Sequence, residues 1–354
     1  ENAVPPRNSG LVRLTFRRGP PHNDGPMSTI LVTGGAGYIG SHMLPALRRQ
    51  GYRPLVFDNL SEGHRAAVGE TELAIGDLAD FGSLRAIIRA NRPLAVIHFA
   101  AVCSVPESVA LPHKYYDTNV VGTINLLRAM LETGVPRIIF SSTAAVYGEP
   151  ESTPITEEAP LKPINPYGWS KLVGEQMLRD YAAAYDIRSV TFRYFNAAGA
   201  APELGLGEDH RPETHIIPLA IRAAMDDSEP LQVFGEDYPT PDGTCIRDYI
   251  HVVDVALAHI YALERLLAGK GSDPVEVFNL GTGKGSTVLE VITSFERATG
   301  RKLQWEFAPR RPGDVIAAYA NTEKAAAGLG WRAERSLDQC MADAWRWQQS
   351  LPKK

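Results

Sequence analysis

Apolar and polar positions follow two alternating periods along the first half of the chain. Short apolar runs of strand length are each followed by a stretch in which apolar residues recur with a helical period. Successive units of this kind form a parallel sheet covered by helices on both faces. The pattern therefore predicts an α/β protein with a doubly wound parallel sheet. The predicted strands are 28–33, 53–57, 73–77, 94–99, 137–142 and 188–195, and the clearest predicted helices are 81–90, 115–133 and 167–185.

The regular alternation weakens after residue 196. Residues 197–218 are rich in Gly, Pro, Glu and His, which predicts loops. We therefore predict a sheet domain over 27–196, to which a segment near 245–285 partly returns, and a smaller mixed α/β lobe for substrate over 197–354. The predicted strands of this half are 231–234, 247–251, 277–280 and 303–307, and its predicted helices are 254–267, 287–298 and a closing helical region.

Residues 1–26 differ from the rest of the chain. They hold four arginines among prolines and glycines and show little periodicity, and Met27 precedes the first predicted strand. Prolines interrupt any amphipathic helix there, which disfavours an arginine-rich targeting peptide. We interpret 1–26 as a disordered extension or one added for expression.

Composition narrows the classes of function. The chain has 354 residues, of which 44% are hydrophobic and 22% charged, with a net charge of −5. The main part of the chain has no run of lysines or arginines, which argues against nucleic acid or an anionic membrane as partner. No apolar run approaches the ~20 residues that cross a bilayer. Three widely separated cysteines, Cys103, Cys245 and Cys340, argue against a disulfide framework or a zinc site and fit the reducing cytoplasm.

A glycine-rich turn links the first strand to the first helix. Gly34 permits a tight turn, Gly37 lets the backbone approach a pyrophosphate, and Gly40 lets the helix pack closely on the strand. The second strand ends at Asp58, where a carboxylate accepts hydrogen bonds from the adenosine ribose hydroxyls and repels a 2′-phosphate. The turn therefore predicts a Rossmann-type site for NAD in preference to NADP, although Arg65 keeps NADP open.

Further residues at the carboxyl edge of the predicted sheet are expected near the same cofactor. Asp77 ends the third strand and is equally well explained as an adenine contact or as a turn residue. Phe99 and Ala100 pass beneath the cofactor, whereas His98 lies in an apolar run and is expected to be a core residue. The predicted cofactor residues are Gly34, Gly37, Tyr38, Ile39, Asp58, Asn59, Asp77, Phe99, Ala100, Asn119 and Lys171.

The strand end at Thr143 precedes the sequence Tyr-Gly-Trp-Ser-Lys, which runs from Tyr167 to Lys171. Four residues of helix place Lys171 one turn beyond Tyr167 on nearly the same face. A nearby ammonium favours phenolate, so we expect Lys171 to lower the pKa of Tyr167 from its reference value of about 10. Tyr167, Lys171 and Thr143 are thus predicted to be catalytic, with Tyr167 as general base. A tyrosine four residues before a lysine arises by chance on many helices. The catalytic interpretation is favoured here because the chain also carries the glycine-rich turn of a dinucleotide site.

Two arginines in the second half have unusual settings. Arg247 lies in Cys-Ile-Arg-Asp-Tyr and Arg311 in Pro-Arg-Arg-Pro-Gly-Asp. Together they are candidates to clamp a diphosphate from two sides. Either arginine taken alone is equally well explained by a surface salt bridge.

Taken together, these motifs resemble the UDP-glucose 4-epimerase family of extended short-chain dehydrogenases/reductases, over about residues 29–347. Related nucleotide-sugar dehydratases carry an Asp-Glu pair where this chain has Ala144 and Ala145, so the acid and base of water elimination are missing. The matching motifs are TGGAGYIG (33–40), DN (58–59), HFA (98–100), SSTAAVYG (141–148), YGWSK (167–171), RYFN (193–196) and RDYIHV (247–252).

The resemblance implies a reversible oxidation at C4 of a UDP-hexose. Tyr167 removes the proton of the C4 hydroxyl while hydride passes to tightly bound NAD, and the 4-keto sugar then turns over. Hydride returns to the opposite face of C4, and Tyr167 returns the proton to the oxygen. UDP-glucose and UDP-galactose are the implied substrates, and a homodimer formed through helices 115–133 and 167–185 is the implied assembly. The implied substrate residues are Thr143, Tyr167, Phe195, Asn196, His215, Phe234, Arg247, Arg311, Asp314 and Ala318.

Several positions depart from the family pattern. Thr143 stands where the family often has serine, and His215 stands where well-known bacterial members have asparagine. Cys103 replaces a lysine near the cofactor phosphates, so another cation compensates or NAD is held less tightly. Ala318 occupies a pocket position that is tyrosine in members restricted to glucose and galactose, so the sequence predicts turnover of UDP-N-acetylglucosamine as well.

Two alternatives stay open at this point. A UDP-pentose or UDP-glucuronate 4-epimerase would share every predicted catalytic residue. A catalytically silent NAD-binding regulator on the same fold is a different class, and it is disfavoured because such proteins usually lose the tyrosine and lysine that this chain keeps at Tyr167 and Lys171.

Overall fold

The structure is a computed structural model that describes residues 27–210, 213–225, 229–311 and 313–351. The extension predicted at 1–26 lies outside the described residues. The strands are β1 (Thr29–Thr33), β2 (Arg53–Asp58), β3 (Glu72–Ile75), β4 (Ala95–His98), β5 (Arg137–Thr143), β6 (Arg188–Tyr194), β7 (Asn196–Ala198), β8 (Leu231–Phe234), β9 (Ile246–Arg247), β10 (Tyr249–His251), β11 (Val275–Leu280), β12 (Ser286–Thr287), β13 (Trp305–Ala308) and β14 (Ala317–Ala318).

Helices follow most of these strands. A π-helical turn at Tyr116–Val121 joins α5 to α6, and 3-10 turns lie at Ala144–Tyr147 and Pro202–Leu204. The α-helices are α1 (Tyr38–Arg49), α2 (Arg65–Val68), α3 (Phe81–Asn91), α4 (Val105–Ala110), α5 (Pro112–Tyr115), α6 (Gly122–Thr133), α7 (Pro166–Tyr185), α8 (Ile216–Met225), α9 (Val252–Leu267), α10 (Val288–Thr299), α11 (Glu323–Leu329) and α12 (Leu337–Ser350).

The central sheet of the described chain has seven strands in the order β11-β6-β5-β4-β1-β2-β3, and all six pairings are parallel. Successive side chains of β1 enter opposite faces of the sheet, because a strand has a period of two. Ile30 and Val32 pack with α1 and α9 on one face, and Leu31 packs with α3 and α6 on the other. The predicted doubly wound α/β fold is confirmed.

Smaller sheets and a separate apolar cluster make up most of the C-terminal half. Strands β8 and β13 pair in parallel, β9 lies between β12 and β14, and β10 pairs with β7. Helices α8, α10 and α12 share one buried cluster. The segment from α9 to β11 instead joins the central sheet, since β11 pairs with β6. Among the described helices, none combines the length and apolarity needed to span a bilayer.

Two predictions of local structure are correct only in part. The loop predicted at 197–218 contains the end of β7 and the start of α8. Pro218 is the third residue of α8, where the backbone N–H has no partner in the helix, so this proline does not break it. The stretch predicted at 115–133 is helical, but its first part, Tyr116–Val121, is a π-helix.

A buried ion pair fixes α7 against the sheet. Arg193 of β6 donates from Nε to Glu175 Oε1 at 2.9 Å and from Nη2 to Glu175 Oε2 at 2.6 Å. The Ser142 hydroxyl of β5 donates to the same carboxylate at 2.6 Å, and Arg193 Nη1 donates to the Tyr147 hydroxyl at 3.0 Å. Only 2% of the Arg193 side chain and 1% of the Glu175 side chain are exposed, so the pair is fully desolvated and depends on these partners.

We expect Arg193→Met to lower the free energy of unfolding by about 3–5 kcal/mol, because it leaves the Glu175 charge buried without its main partner. Arg179→Met is the matched control. Arg179 lies 3.8 Å from the same carboxylate but is 40% exposed, so its loss should cost less than about 1 kcal/mol. Urea unfolding of both variants measures the difference, and equal losses would contradict the importance assigned to the buried pair.

Candidate active site

The glycine turn after β1 approaches the neighbouring strand too closely for a side chain. Gly34 has a φ of 72°, and a Cβ at this position would lie 2.6 Å from Ala100 Cα. Helix α1 begins beyond it at Tyr38, with no side-chain cap and no acidic residue in its first turn. Its first N–H groups and the positive end of its dipole therefore suit a phosphate. This turn fits the pyrophosphate of a dinucleotide.

The carboxylate of Asp58 organises the same turn. Its oxygens accept from Ala36 N at 2.9 Å and from Leu60 N at 2.8 Å. The Asn59 amide donates to Asp77 at 2.7 Å. Asp77 also accepts from a backbone N–H two residues on at 2.8 Å, which is the geometry of a turn aspartate. Asp58, Asn59 and Asp77 thus lie together at the carboxyl ends of β2 and β3.

Other predicted cofactor residues are tied to the surrounding protein. The Tyr38 hydroxyl donates to Gly199 O at 2.7 Å, and the Phe99 ring lies 4.8 Å from that of His259. Ile39 packs against the core. Asn119 exchanges two hydrogen bonds of 3.0 Å with the backbone of Val102.

Asn119 also donates to the Ser170 hydroxyl at 2.9 Å. Its amide therefore holds the segment after β4 against α7. His98 is buried between the hydroxyls of Thr33 at 2.7 Å and Thr123 at 3.0 Å, and burial lowers its pKa to about 3. The prediction that His98 is a core residue is confirmed.

The predicted catalytic residues meet where β5 ends and α7 begins. Asn165 caps α7 by accepting from Gly168 N at 2.8 Å, which places Tyr167 in the first turn. Thr143, the last residue of β5, lies beside the Tyr167 hydroxyl and acts to lower its pKa. Lys171 is 4% exposed, and its Nζ lies 5.3 Å from the centre of the Phe140 ring. A tyrosine, a lysine and a threonine hydroxyl thus share one cleft.

The predicted direction of the Tyr167 pKa shift is wrong for the protein itself. Desolvation in the cleft raises the pKa of Tyr167 above its ordinary value, and the Thr143 side chain opposes this only in part. The same burial lowers the pKa of Lys171 to about 8. Removal from water disfavours both charged forms, so desolvation sets the direction of both shifts.

Four predicted substrate residues meet in the C-terminal half. Arg247 Nη2 lies 3.4 Å from Asp314 Oδ1, and Arg311 Nε lies 3.4 Å from Asp314 Oδ2. The Arg311 guanidinium also stacks 4.4 Å from the centre of the Phe234 ring, a cation-π contact. Arg247 donates in addition to Val315 O at 2.8 Å, so two arginines flank one carboxylate beside an aromatic face.

Three further substrate candidates lie where β6 and β7 meet β14. Phe195 is buried in a small apolar cluster, and Ala318 packs against that cluster. Asn196 is the first residue of β7 and pairs with Tyr249 of β10, and its backbone N–H donates to Asp248 O at 2.9 Å. The structure therefore brings Phe195 and Ala318 together and places Asn196 beside them in the chain.

His215 belongs to a cluster that the sequence analysis missed. Its Nδ1 lies 2.8 Å from Glu213 Oε1 and 3.0 Å from Glu208 Oε1, and His210 Nδ1 lies 3.1 Å from Glu208 Oε1. The signal was present as Glu-x-His-x-x-Glu-x-His between Glu208 and His215. The electrostatic effects of His215 and Lys171 both reach the thiol of Cys103, so the cluster borders the same cleft.

The glycine turn at a helix N-terminus and the Tyr167 group at the same sheet edge define a nucleotide-dependent enzyme of the doubly wound α/β class. Residues 30–281 match the model of the NAD dependent epimerase/dehydratase family. The chain belongs to this family. The family description confirms the predicted NAD cofactor and the resemblance on which the predicted reaction class rests.

Individual relatives cover nearly the whole chain. The UDP-glucose 4-epimerase of Rhizobium leguminosarum bv. trifolii is 48% identical over 319 residues, which are 90% of this chain and 97% of that protein. The crystal structure of UDP-glucose 4-epimerase from Brucella ovis in complex with NAD is 48% identical, with a TM-score of 0.86, and the match covers 90% of this chain and 97% of that one.

A third relative was solved with nucleotide. The UDP-glucose 4-epimerase from Bifidobacterium longum in complex with NAD+ and UDP is 41% identical, with a TM-score of 0.85, over 91% of this chain and 98% of that one. These matches extend across both the central sheet and the C-terminal half.

Proposed function

We propose that this chain is an isomerase that interconverts UDP-glucose and UDP-galactose by inverting C4 of the hexose. The observation that carries the proposal is the position of Tyr167, which lies beside Thr143 and one helical turn from Lys171, at the same edge of the sheet as the glycine turn. The relatives named UDP-glucose 4-epimerase supply the substrate pair. No feature of the described residues favours a pentose or a glucuronate over these hexoses.

In the proposed mechanism, the protein holds the sugar and moves one proton. The glycine turn after β1 would hold NAD, which would supply a hydride acceptor and donor for C4 of the sugar. Tyr167 takes the proton of the C4 hydroxyl and later gives it back, while the Thr143 hydroxyl holds the reacting oxygen. Lys171 would hold the nicotinamide ribose and, when charged, stabilise the phenolate. Because hydride returns within each turnover, we propose that NAD stays bound.

We propose that most contacts between the protein and its substrate are made with the nucleotide. Arg247 and Arg311 would hold the diphosphate, with Asn196 and His215 contributing hydrogen bonds. The Phe234 ring would pack on uracil or its ribose, and Asp314 would accept from the ribose hydroxyls. The 4-keto sugar must turn over without escaping, which requires a firm nucleotide contact and a loose sugar contact.

We also propose which part of the chain binds each ligand and how the protein assembles. The sheet domain would bind NAD, and the C-terminal lobe, from about residue 197, would bind the UDP-sugar.

The protein would form a homodimer through α6 and α7 and the π-helical turn between α5 and α6. This surface exposes large apolar side chains, as an interface would. They are Tyr116, Val121, Ile124, Leu131, Trp169, Val173 and Tyr185.

Tyr167→Phe should lower turnover of UDP-galactose by at least about 10²-fold, because the proton acceptor is lost. Its control is Tyr185→Phe, on the same helix but 52% exposed, which should keep normal turnover. A coupled assay gives the rates, and release of NAD on denaturation shows that cofactor is still present. Turnover of Tyr167→Phe within about tenfold of the unaltered protein would remove Tyr167 from its role as base.

The small side chain of Ala318 should permit turnover of UDP-N-acetylglucosamine. We expect Ala318→Tyr to abolish that activity while UDP-galactose is still converted, because the phenol would fill the space for the N-acetyl group. Ala318→Ser is the control and should retain both activities. Product analysis by anion-exchange chromatography measures them. A protein fully active on UDP-galactose but without activity on UDP-N-acetylglucosamine would refute this prediction.

The proposed dimer surface can be tested by sedimentation velocity. Val121→Arg places a charge at its centre and should yield monomers, because an unpaired charge opposes burial. Met225→Arg is the control, since Met225 is similarly exposed, at 50%, but lies at the end of α8. A dimer that persists in Val121→Arg would locate the interface elsewhere.

A further inference from the structure

Four side chains beside the proposed active site converge on one point. Glu208, His210, Glu213 and His215 each offer one ligand atom, and these atoms lie within 4.8 Å of one another. Three contacts of the imidazole Nδ1 atoms with the carboxylates are 2.8–3.1 Å long, and the fourth, between His210 Nδ1 and Glu213 Oε2, is 4.0 Å. Two imidazoles and two carboxylates are a common ligand set for a divalent metal ion in proteins.

The two carboxylates are withdrawn from water. The Glu208 side chain is 8% exposed and the Glu213 side chain 1%. Within the described ranges, the ion pairs of both carboxylates lead to His210 and His215. A divalent cation between the four groups would neutralise both carboxylates and leave both imidazoles in the neutral form that binds metals.

Two backbone N–H groups also fix the orientation of the Glu213 carboxylate. Its Oε1 accepts the backbone N–H groups of Thr214 and His215, both at 2.8 Å. Hydrogen bonds of this kind fix ligand direction at metal sites and raise affinity. The short spacing along the chain, from 208 to 215, means that a single segment supplies all four ligands.

We propose that Glu208, His210, Glu213 and His215 bind one divalent transition-metal ion of the Zn²⁺ type. Mixed nitrogen and oxygen ligands suit Zn²⁺ better than Mg²⁺ or Ca²⁺, which prefer oxygen ligands alone. The three cysteines that argued against a zinc site do not belong to this cluster, whose ligands are carboxylates and imidazoles.

The site lies beside the glycine turn. The His210 ring stands edge-on to that of Tyr38, with centroids 6.3 Å apart, and His64 Nε2 contacts Asp209 O at 2.9 Å. A bound ion would therefore hold Asp209 and His210 beside the start of α1.

Metal binding at Nδ1 would also place the His215 proton on Nε2, on the opposite edge of a side chain that is 45% exposed. That N–H could then donate to a substrate phosphate. This last consequence rests on the proposed function, whereas the metal site does not.

Zinc binding to the full, tag-free chain tests the proposal directly. After dialysis against a chelator and then plain buffer, the protein is equilibrated with ZnCl₂ and bound metal is counted by mass spectrometry. We expect one Zn²⁺ per chain, undiminished by excess MgCl₂. His210→Ala and the nearly isosteric Glu208→Gln should each weaken binding at least roughly tenfold. Cobalt in place of zinc should give the visible absorption of a low-coordinate Co²⁺ site.

Two controls separate this site from other zinc ligands. His113→Ala removes an exposed histidine of α5, and Cys103→Ser removes a thiol of the same cleft; both should leave zinc binding unchanged. Equal zinc affinity in the unaltered protein and the His210→Ala and Glu208→Gln variants, or loss of zinc in Cys103→Ser, would overturn the ligand set. Should either cluster variant fail to fold, the unaltered protein decides, because a specific site must raise its melting temperature with Zn²⁺ but not with Mg²⁺.

Discussion

The buried ion pair between Arg193 and Glu175 is the constraint on which the site geometry depends. Tyr167, Lys171 and Glu175 follow one another at intervals of four residues along α7, so they share a face of the helix. Glu175 is held by Arg193 from β6 and by Ser142 from β5. Anchoring the third turn of the helix to two strands sets its rotation, and that rotation aims the first turn at the end of β5.

The burial that fixes the positions of Tyr167 and Lys171 also disfavours their charged forms. Tyr167 is harder to ionise than a free phenol, and Lys171 gives up its proton near pH 8. At neutral pH the protein alone therefore holds a neutral phenol beside a lysine that is still mostly protonated, because pH 7 lies below a pKa of about 8. In the proposed reaction, the positive nicotinamide ring would be the charge that makes the phenolate accessible, so base strength and cofactor oxidation state would change together.

Sequence patterns predicted those features that local backbone chemistry dictates. The turn at Gly34 acts within a few residues, so the glycine motif was visible in the sequence. The helix that follows Tyr167 was also predicted, whereas its cap at Asn165 was found only in the structure. Arg193 and Glu175 are 18 residues apart and lie on different elements. No local spacing in the sequence predicted that they form an ion pair. Pro218 was taken for a loop signal because the start of α8 was not recognised. The pKa of Tyr167 depends on how much water the folded cleft excludes, which no motif reports.

The grouping of Arg247, Arg311, Asp314 and Phe234 has a consequence for control of the enzyme. On the proposed assignment, nearly all recognition is directed at uridine and its two phosphates, and little at the hexose. Free UDP would carry most of the recognised groups, and it would occupy the cleft almost as readily as a sugar-bearing substrate. Reactions that transfer the sugar elsewhere release this nucleotide, so a cell consuming the product quickly would slow its own supply until the UDP is rephosphorylated.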